Sequence, residues 1–538
     1  MICALANSLW LSGCLPEAVR FRRATARVSE EQTRLLRRLL AANAGTEFGR
    51  RHAFGSIRTP EEYQRNVPLA TFDDYGPAIE RLARGETNLL TAEPVRMFEP
   101  TSGSSGATKL VPYTASLQAD FQRGIKPWIA NLFRHYPDLM AGSAFWSISP
   151  AGASSRSTAS GIPIGFDDDS QYVGGWQQRM VRSVMAVPTS LRHIPDIERF
   201  RYQTLLALID RGDLRLISVW NPTFLSLLVE RLPEWGDQLA QDLGAASRRA
   251  EVLRAAIRAR TPGERHATLW PRLGLISCWS DRAAAVPADR LAAQFPQARI
   301  QGKGLIATEG FVSLPLVGRD GAALAVRSHF FEFAPVDAEN RSAGQPLLAF
   351  QLDRGHRYAV ILSTGGGLYR YQLQDVVQVV GHVNQCPLIR FVGRQGYVSD
   401  RFGEKLNEAH VARTLHEALD LYGLSPSFAM LACDDALPGP AYVLYIDVAA
   451  PDEPLARLAH HVDTELRHSF HYDYARRLGQ LGSLRVFRAE GASEDYLREA
   501  ARSGQRLGDI KTLSLDRRTD WSNILRGRFI PGTLELAL

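Results

Sequence analysis

The chain has 538 residues, 45% of them hydrophobic and 22% charged, and a formal net charge of +6 at pH 7. This composition is ordinary for a globular protein with a sizeable core and excludes a low-complexity chain. The basic residues are scattered over helix-like segments without an interleaved aromatic stripe, so we expect no nucleic-acid partner. The small positive excess suits an anionic substrate.

The cysteines and the first residues bear on the cellular setting. The five cysteines form no C-x-x-C pair or Cys/His cluster, which predicts neither a zinc site nor a disulfide framework and favours a reducing, cytoplasmic location. LSGC near the start resembles a lipoprotein cleavage site, but no Lys or Arg precedes Arg20, so we expect an apolar helix packed on the body instead of a signal peptide. The chain contains no run of about 18 apolar residues, so no transmembrane helix is predicted and we expect no membrane partner.

Helical and strand patterns alternate along most of the chain. Apolar residues at helical spacing predict helices at 30–42, 115–135, 198–211, 223–232, 247–260 and 283–295. Short apolar runs bounded by turn residues predict strands at 143–150, 214–220, 273–279, 298–306 and 358–364. This alternation is typical of an α/β protein that contains parallel sheet.

The pattern changes after about residue 396. Predicted strands at 441–448 and 484–489 are flanked by predicted helices at 407–420 and 454–470, which indicates a compact α+β unit of ordinary domain size. We therefore predict an N-terminal body over 1–396 and a smaller lobe over 397–538. The stretch GRQGYVSDRFGEK, 393–405, would form a joint between them and leave a cleft.

Hydroxyl and glycine residues crowd in front of a lysine in TSGSSGATK, 101–109. Glycines let the backbone approach a phosphate, hydroxyl and N–H groups donate hydrogen bonds to it, and lysine supplies positive charge. The alternative is a solvated Gly/Ser turn. A kinase-type phosphate loop is excluded because its second glycine and the hydroxyl after the lysine are missing, and the glycine spacing excludes a serine-hydrolase elbow.

Two later stretches place a carboxylate beside a predicted strand. In LIATEGF, Thr308 and Glu309 follow an apolar run, and the carboxylate could hold Mg²⁺ while the hydroxyl meets a phosphate oxygen. In LYRYQLQD, a half-buried strand leads to Asp375, which could accept both hydroxyls of a ribose. The alternatives are a strand end with a helix-capping Thr and a strand-ending Asp in a turn.

Two stretches of the C-terminal third add basic residues. Arg394 and Lys405 lie in the predicted joint, and SGQRLGDIKTLSL, 503–515, presents Lys511 after a glycine-rich turn. A lysine there could enter the cleft, and an exposed hairpin lysine is the alternative.

In this order the motifs resemble those of the acyl-adenylate-forming superfamily. Four stretches further resemble its auxin-responsive family of acyl-acid amido synthetases: GIPIGF (161–166), HFFEFAP (329–335), GLYRYQLQDVVQVVGH (367–382) and GQRLGDIK (504–511). The resemblance implies a large adenylating body with mixed and parallel sheets and a small, mobile α+β C-terminal lobe.

The resemblance also implies two-step chemistry. A small carboxylic acid would attack ATP to give an acyl-AMP and pyrophosphate, and an amine, usually that of an amino acid, would then displace AMP to form an amide. The alternative acceptors are the thiol of coenzyme A or of a carrier protein, or a hydroxyl. A non-catalytic binding protein is disfavoured because Lys109, Glu309, Asp375 and Lys511 are all retained.

Residue roles follow from the resemblance position by position. The catalytic lysines would be Lys109, Lys405 and Lys511, the last two alternating as the lobe rotates, and Glu309 would hold Mg²⁺. The residues that would bind ATP are Ser102, Gly103, Ser104, Ser105, Gly106, Thr108, Thr308, Asp375 and Arg394.

The sequence departs from the family pattern at three places and leaves the acid unspecified. Gln372 and Gln374 stand where plant relatives often have Arg and Gly. Leu305 stands where relatives often have an aromatic residue, so adenine stacking would be supplied elsewhere, and Thr-Leu-Ser follows Lys511 where relatives often have Pro-Arg. Aromatic residues that suit either an acyl pocket or plain core are Phe121, Trp128, Phe166, Tyr172, Trp176 and Phe330. Neither the acid nor the oligomeric state can be predicted from the sequence.

Overall fold

The computed structural model describes residues 2–101, 109–146, 156–165, 183–194, 196–281, 284–337, 342–395, 398–399, 401, 404, 406–435, 437, 439–477, 480–503, 505 and 510–530. Its helices are α1 (Ile2–Ala24), α2 (Val28–Asn43), α3 (Glu47–Arg51), α4 (Pro60–Asn66), α5 (Phe72–Ala83), α6 (Ala115–His135), α7 (Ile197–Asp210), α8 (Pro222–Glu230), α9 (Leu232–Asp242), α10 (Arg248–Ile257), α11 (Pro262–Leu269), α12 (Ala285–Gln294), α13 (Glu408–Leu421), α14 (Asp452–Leu466), α15 (Phe470–Arg477) and α16 (Ala492–Arg502). The helices predicted at 30–42, 115–135, 198–211, 223–232, 247–260 and 283–295 are all present.

The strands up to residue 335 are β1 (Met97–Thr101), β2 (Lys109–Tyr113), β3 (Ser143–Trp146), β4 (Arg156–Ser157), β5 (Pro163–Ile164), β6 (Leu214–Ser218), β7 (Leu275–Cys278), β8 (Arg299–Gly302), β9 (Ile306–Ala307), β10 (Gly310–Phe311), β11 (Ser313–Pro315), β12 (Ala322–Leu324) and β13 (Phe330–Pro335). The later strands are β14 (Leu347–Leu348), β15 (Arg357–Ser363), β16 (Tyr371–Val383), β17 (Cys386–Arg394), β18 (Val398–Ser399), β19 (Leu406–Asn407), β20 (Phe428–Cys433), β21 (Tyr442–Asp447), β22 (Arg485–Ala489), β23 (Leu515–Asp516) and β24 (Gly527–Phe529). The five body strands predicted from apolar runs are among them.

A four-stranded sheet in the order β3-β6-β7-β8 is parallel throughout. Successive residues of its strands face two different cores: Leu216 and Leu275 belong to one, and Ile217 and Ile276 to the other. Burial on both faces is what an apolar parallel strand requires. The strands end level with one another, so their carboxyl ends form one edge, the usual position of ligands in such sheets.

A seven-stranded antiparallel sheet lies in the same body, in the order β11-β12-β17-β16-β15-β13-β14. Its longest strand, β16, begins at Tyr371 and pairs with β15 on one side and β17 on the other. A smaller sheet in the order β2-β1-β5-β4 carries Lys109 at the start of β2.

The N-terminal helix packs on the body, as the sequence predicted. The ring of Trp10 in α1 meets that of Phe133 in α6 edge to face, with centroids 5.8 Å apart. Among the described residues no helix is long and apolar enough to cross a membrane. All five cysteines are buried and none forms a disulfide.

The C-terminal part contains a five-stranded mixed sheet in the order β23-β20-β21-β22-β24. The strands and helices predicted between 407 and 489 are present. Several contacts join this part to the body; among them, Asn221 Nδ2 donates to the Ile510 carbonyl at 2.8 Å, and Arg231 pairs with Glu494 at 3.2 Å.

His266 in α11 couples stability to pH. It is 1% exposed and stacks on Phe295, and its Nδ1 lies 2.8 Å from the Gln294 carbonyl oxygen, so the buried ring is neutral with the proton on Nδ1. Burial lowers its pKa to about 4, against about 6.5 when unfolded. The stability contributed by the neutral ring is therefore present above pH 6.5 and lost as the pH falls toward 4.

We expect His266→Asn, which keeps an N–H donor but does not titrate, to reduce the loss of unfolding free energy between pH 7 and pH 5 by about 2 kcal/mol. Denaturant unfolding at the two pH values measures this difference. His460→Asn, at an exposed helix position, is the control and should leave the pH dependence unchanged. Equal pH dependence in wild type and His266→Asn would contradict the assignment.

Candidate active site

Thr308 and Glu309 form the two-residue turn of the β9–β10 hairpin, in which Ala307 pairs with Gly310. The hairpin is anchored to the core, because the backbone N–H of Phe311 donates a hydrogen bond to His329 Nε2 at 2.9 Å. A Cβ atom at Gly310 would lie 2.9 Å from the same nitrogen, so only glycine fits there without displacing the ring. The Thr308–Glu309 turn is thus held at a fixed distance from the buried His329.

The buried carboxylate of Asp120 lies beside the ring of His329. Because Nε2 accepts a hydrogen bond, the proton of the neutral ring lies on Nδ1, and Nδ1 faces Asp120 Oδ2 at 3.5 Å. The same oxygen accepts from the Gly365 N–H at 3.0 Å. The His329 side chain is fully buried, so this chain of contacts fixes the Thr308–Glu309 turn from the core outward.

Asp375 lies within β16, in a bulge, so the alternative interpretation of a strand-ending Asp in a turn is wrong. Pairing with β15 jumps from Ile361–Gln372 to Ala359–Val376, and Gln374 has a left-handed φ of +66°. Bulges are common beside active sites because they redirect side chains. Here the bulge sets Asp375 opposite Arg394 of β17.

The Asp375–Arg394 contact is a cross-strand ion pair. Arg394 Nε lies 3.1 Å from Asp375 Oδ1, and the Asp375 side chain is almost fully buried. The nearby carboxylate of Asp375 raises the pKa of the Arg394 guanidinium. Asp375 Oδ1 takes part in no hydrogen bond of good geometry, so this oxygen can still accept a hydrogen bond from another donor.

Tyr371 joins this pair to the hairpin turn. Its hydroxyl donates to Glu309 Oε1 at 3.0 Å. Burial, and after it the charge of Glu309, raises the pKa of Tyr371, so the phenol remains a donor. The structure thus brings together Glu309, Asp375 and Arg394. The sequence marked Tyr371 as a buried strand residue, but nothing in it indicated the hydroxyl contact.

Lys511 reaches this region from the C-terminal part. Its Nζ lies 4.9 Å from the ring centroid of Trp279 and 5.7 Å from that of Phe391, and Phe391 precedes Arg394 by three residues on β17. Neither ring was predicted to belong to the site, although Trp279 is the last residue of the strand predicted at 273–279.

Lys109 lies at a different side of the region. It pairs with Thr101 across β1 and β2, and its Nζ is 5.3 Å from the Phe72 ring centroid. Ala70, two residues before Phe72, bridges to Tyr371. Predicted site residues outside the described part of the chain are Ser102, Gly103, Ser104, Ser105, Gly106, Thr108 and Lys405.

A pocket of about 480 Å³ is lined by Asp281, Gly302, Lys303, Leu305 and Phe391 among others, and it shares Phe391 with the Lys511 contact. This volume is within the range of small-molecule sites. Within the described ranges, no three His, Cys, Asp or Glu side chains are grouped as a metal site. A Mg²⁺ ion held by one carboxylate and by substrate phosphates needs no such group.

The aromatic residues considered for an acyl pocket separate into three groups. Phe121 and Phe330 are core residues, each 2% exposed. Trp128 contacts Lys303 at the edge of the parallel sheet. Phe166, Tyr172 and Trp176 lie outside the described residues.

The fold is shared with solved acyl acid amido synthetases. The structure of AtGH3.15 acyl acid amido synthetase in complex with 2,4-DB has a TM-score of 0.83 at 18% identity, covering 97% of this chain and 98% of that one. A second GH3.15 acyl acid amido synthetase structure has a TM-score of 0.80 over 96% of this chain and 97% of the other. The predicted α/β class, with a separate C-terminal domain, is confirmed.

Curated relatives align over most of the chain. The probable indole-3-acetic acid-amido synthetase GH3.2 of Oryza sativa subsp. japonica is 25% identical over 459 residues, 77% of this chain and 74% of that protein. The indole-3-acetic acid-amido synthetase GH3.15 of Arabidopsis thaliana is 24% identical over 484 residues, 79% of this chain and 78% of the relative.

The GH3 family N-terminal domain matches residues 18–297, the central domain 322–394 and the C-terminal domain 410–518. The chain therefore belongs to the GH3 family. By family and fold it is an ATP-dependent ligase that adenylates an acyl acid and forms an amide with an amino acid, as the motifs predicted.

We expect His329→Phe to lower the rate of acid-dependent pyrophosphate release by about 10-fold to 100-fold, because the Phe311 N–H loses its acceptor and the Glu309 turn shifts. The apparent affinity for Mg²⁺ should fall with it. His329→Gln can still accept at the position of Nε2 and should recover most of the activity.

Phe121→Leu is the matched control, since Phe121 packs against both Phe311 and His329 without hydrogen-bonding to either. It should lower the melting temperature but leave the Mg²⁺ dependence unchanged. If Phe121→Leu and His329→Phe alter the Mg²⁺ dependence equally, His329 has no positioning role.

Proposed function

We propose that Thr308, Glu309, Asp375 and Arg394 form the nucleotide site of this ligase. The observation that supports this is the pair of contacts Tyr371–Glu309 and Arg394–Asp375, which join the hairpin turn, β16 and β17 in one place. We further propose that residues 1–396 act as the adenylation body and 397–538 as a mobile lobe.

Glu309 is the proposed Mg²⁺ ligand. Its Oε1 accepts from Tyr371, and because a carboxylate offers about four acceptor positions, capacity remains for a hard cation. When bound, the ion would offset negative charge on the phosphates. The adjacent Thr308 hydroxyl would donate to an oxygen of the α-phosphate.

Asp375 would accept the ribose hydroxyls, with Arg394 holding the carboxylate in place. The base would enter the 480 Å³ pocket between Leu305 and Phe391. Leu305 is aliphatic and offers adenine no aromatic ring to stack on. We therefore propose that the ring of Phe391 packs against adenine. Ser102, Gly103, Ser104, Ser105, Gly106 and Thr108 would bind the outer phosphates together with Lys109.

In the first step an oxygen of the substrate carboxylate attacks the α-phosphorus of ATP. The new O–P bond forms as the bond to pyrophosphate breaks, and negative charge spreads over the transferring group. Lys511, on the Trp279 and Phe391 rings, and Lys109, beside the Phe72 ring, would stabilise that charge.

In the second step the amine nitrogen of an amino acid attacks the acyl carbon. The N–C bond forms, the C–O bond to AMP breaks, and the nitrogen loses a proton. We propose that Lys405 replaces Lys511 at the nucleotide when the lobe rotates. The buried, unpaired thiols suit a reducing compartment, and we propose a cytoplasmic location.

With ATP and Mg²⁺, we expect at least one acid from a panel of carboxylic acids to give pyrophosphate release, and an added amino acid to yield an amide detectable by mass spectrometry. Lys511→Met should lower acid-dependent pyrophosphate release by about 100-fold to 1,000-fold, the usual loss when one transition-state donor is removed.

Lys126→Met removes the same charge from α6, outside the proposed site, and should change the rate by less than about twofold. Release from none of the acids would contradict the proposed function. Equal rates in Lys511→Met and wild type would contradict the role of Lys511 alone.

A further inference from the structure

Lysine is rare in this chain and concentrated at the proposed site. The chain has five lysines, at 109, 126, 303, 405 and 511, among 63 basic residues. Three of them are the lysines assigned to catalysis. Arginine supplies nearly all other positive charge, and lysine differs from it in carrying a compact ammonium on a flexible stem. Lys303 lies next to the proposed site, and no role has so far been assigned to it.

Lys303 lies across the carboxyl edge of the parallel sheet. It directly follows β8, its backbone N–H donates to the Cys278 carbonyl at the end of β7 at 2.9 Å, and its Nζ donates to Ser218 Oγ at the end of β6 at 2.7 Å. The ammonium is therefore held where ligands bind in open parallel sheets.

Two indole rings flank the ammonium. Lys303 Nζ lies 5.4 Å from the ring centroid of Trp128 and 4.9 Å from that of Trp220. The Trp128 ring is fixed in turn, because its Nε1 donates to Gln301 Oε1 at 3.0 Å. Aromatic faces at these distances attract a lysine ammonium. The site thus combines one positive charge with two flat apolar surfaces.

This cluster adjoins the adenylation site. Glu309 follows Lys303 by six residues, and the residues around Lys303 Nζ, namely Ser218, Trp128 and Trp220, are not part of the pocket assigned to the base. The Trp220 ring lies 5.9 Å from the Trp279 ring, which Lys511 also contacts. A substrate at the nucleotide site would therefore extend toward Lys303.

We propose that Lys303 binds a second acidic group of the acyl acid, on the opposite side of a flat ring from the carboxylate that is adenylated. The inference rests on the proposed function and deepens it, by naming aromatic acids with a second anionic substituent as the substrate class. The indole faces of Trp128 and Trp220 would contact the ring, and the ammonium would make a charge-assisted hydrogen bond to the distal group. Pairing with the reacting carboxylate is disfavoured, because a bound cation weakens that oxygen as a nucleophile.

The test compares two flat acids of nearly the same shape. Benzene-1,4-dicarboxylate has a distal anion, whereas 4-nitrobenzoate has an uncharged group of the same outline. Titration calorimetry with the wild-type chain should give binding about 10-fold to 100-fold tighter for the dicarboxylate, the range of one hydrogen bond to a charged group. Lys303→Met should abolish this difference by weakening the dicarboxylate alone.

Lys126→Met is the matched control and should keep the full preference, which excludes a general effect of net charge. Equal binding of the two acids by wild type, or an unchanged preference in Lys303→Met, would overturn the proposal. If Lys303→Met fails to fold, Ser218→Ala, which removes the hydroxyl that holds Nζ, should reduce the preference about threefold or more, and no reduction would overturn the proposal.

Pyrophosphate release by the same proteins separates this inference from the proposed function. Release with some acids, but no preference for the dicarboxylate, would defeat the Lys303 proposal and leave the ligase intact. A Lys303-dependent binding preference without release from any acid would uphold the binding site and defeat the proposed function.

Discussion

The buried ion pair between Arg370 and Glu332 is the interaction on which the geometry of the site depends. Arg370 Nη2 lies 2.9 Å from Glu332 Oε1, with side chains 6% and 1% exposed, and the guanidinium also donates to the carbonyls of Gln64 and Val67 at 2.7 Å each. One side chain thus ties β13 and the end of α4 to the start of β16. Removing either partner would leave an uncompensated buried charge, which typically costs about 3–5 kcal/mol.

This pair holds a segment of strained backbone in place. Arg370 has a φ of +47° and Gln374 one of +66°, a region in which side chains other than glycine cost on the order of 1–3 kcal/mol each. The two residues bracket Tyr371 and the first half of the bulge. Because the neighbouring contacts fix both ends, the strain persists and aims Tyr371 at Glu309 and Asp375 at Arg394.

The sequence predicts what depends on local periodicity and misses what depends on distant partners. The helix α6 and the strands β6 and β7 were predicted because their buried faces recur at regular spacing. The bulge at Asp375 was not, since neither Arg370 nor Gln374 belongs to a residue type that signals a left-handed backbone. His329 positions the turn that carries Glu309, and Trp279 contacts Lys511. Both interactions join residues far apart in the chain, and no local pattern indicates such contacts.

The Trp220–Trp279 ring pair has a consequence for how such an enzyme can evolve. One ring of the pair contacts Lys303 and the other contacts Lys511, so the two lysines share a single aromatic wall. A substitution that reshapes the wall to admit a different acid would also move the surface on which the C-terminal lysine rests. New substrate preferences should therefore arise through paired changes at the two positions, with the rate of adenylation restored by the second.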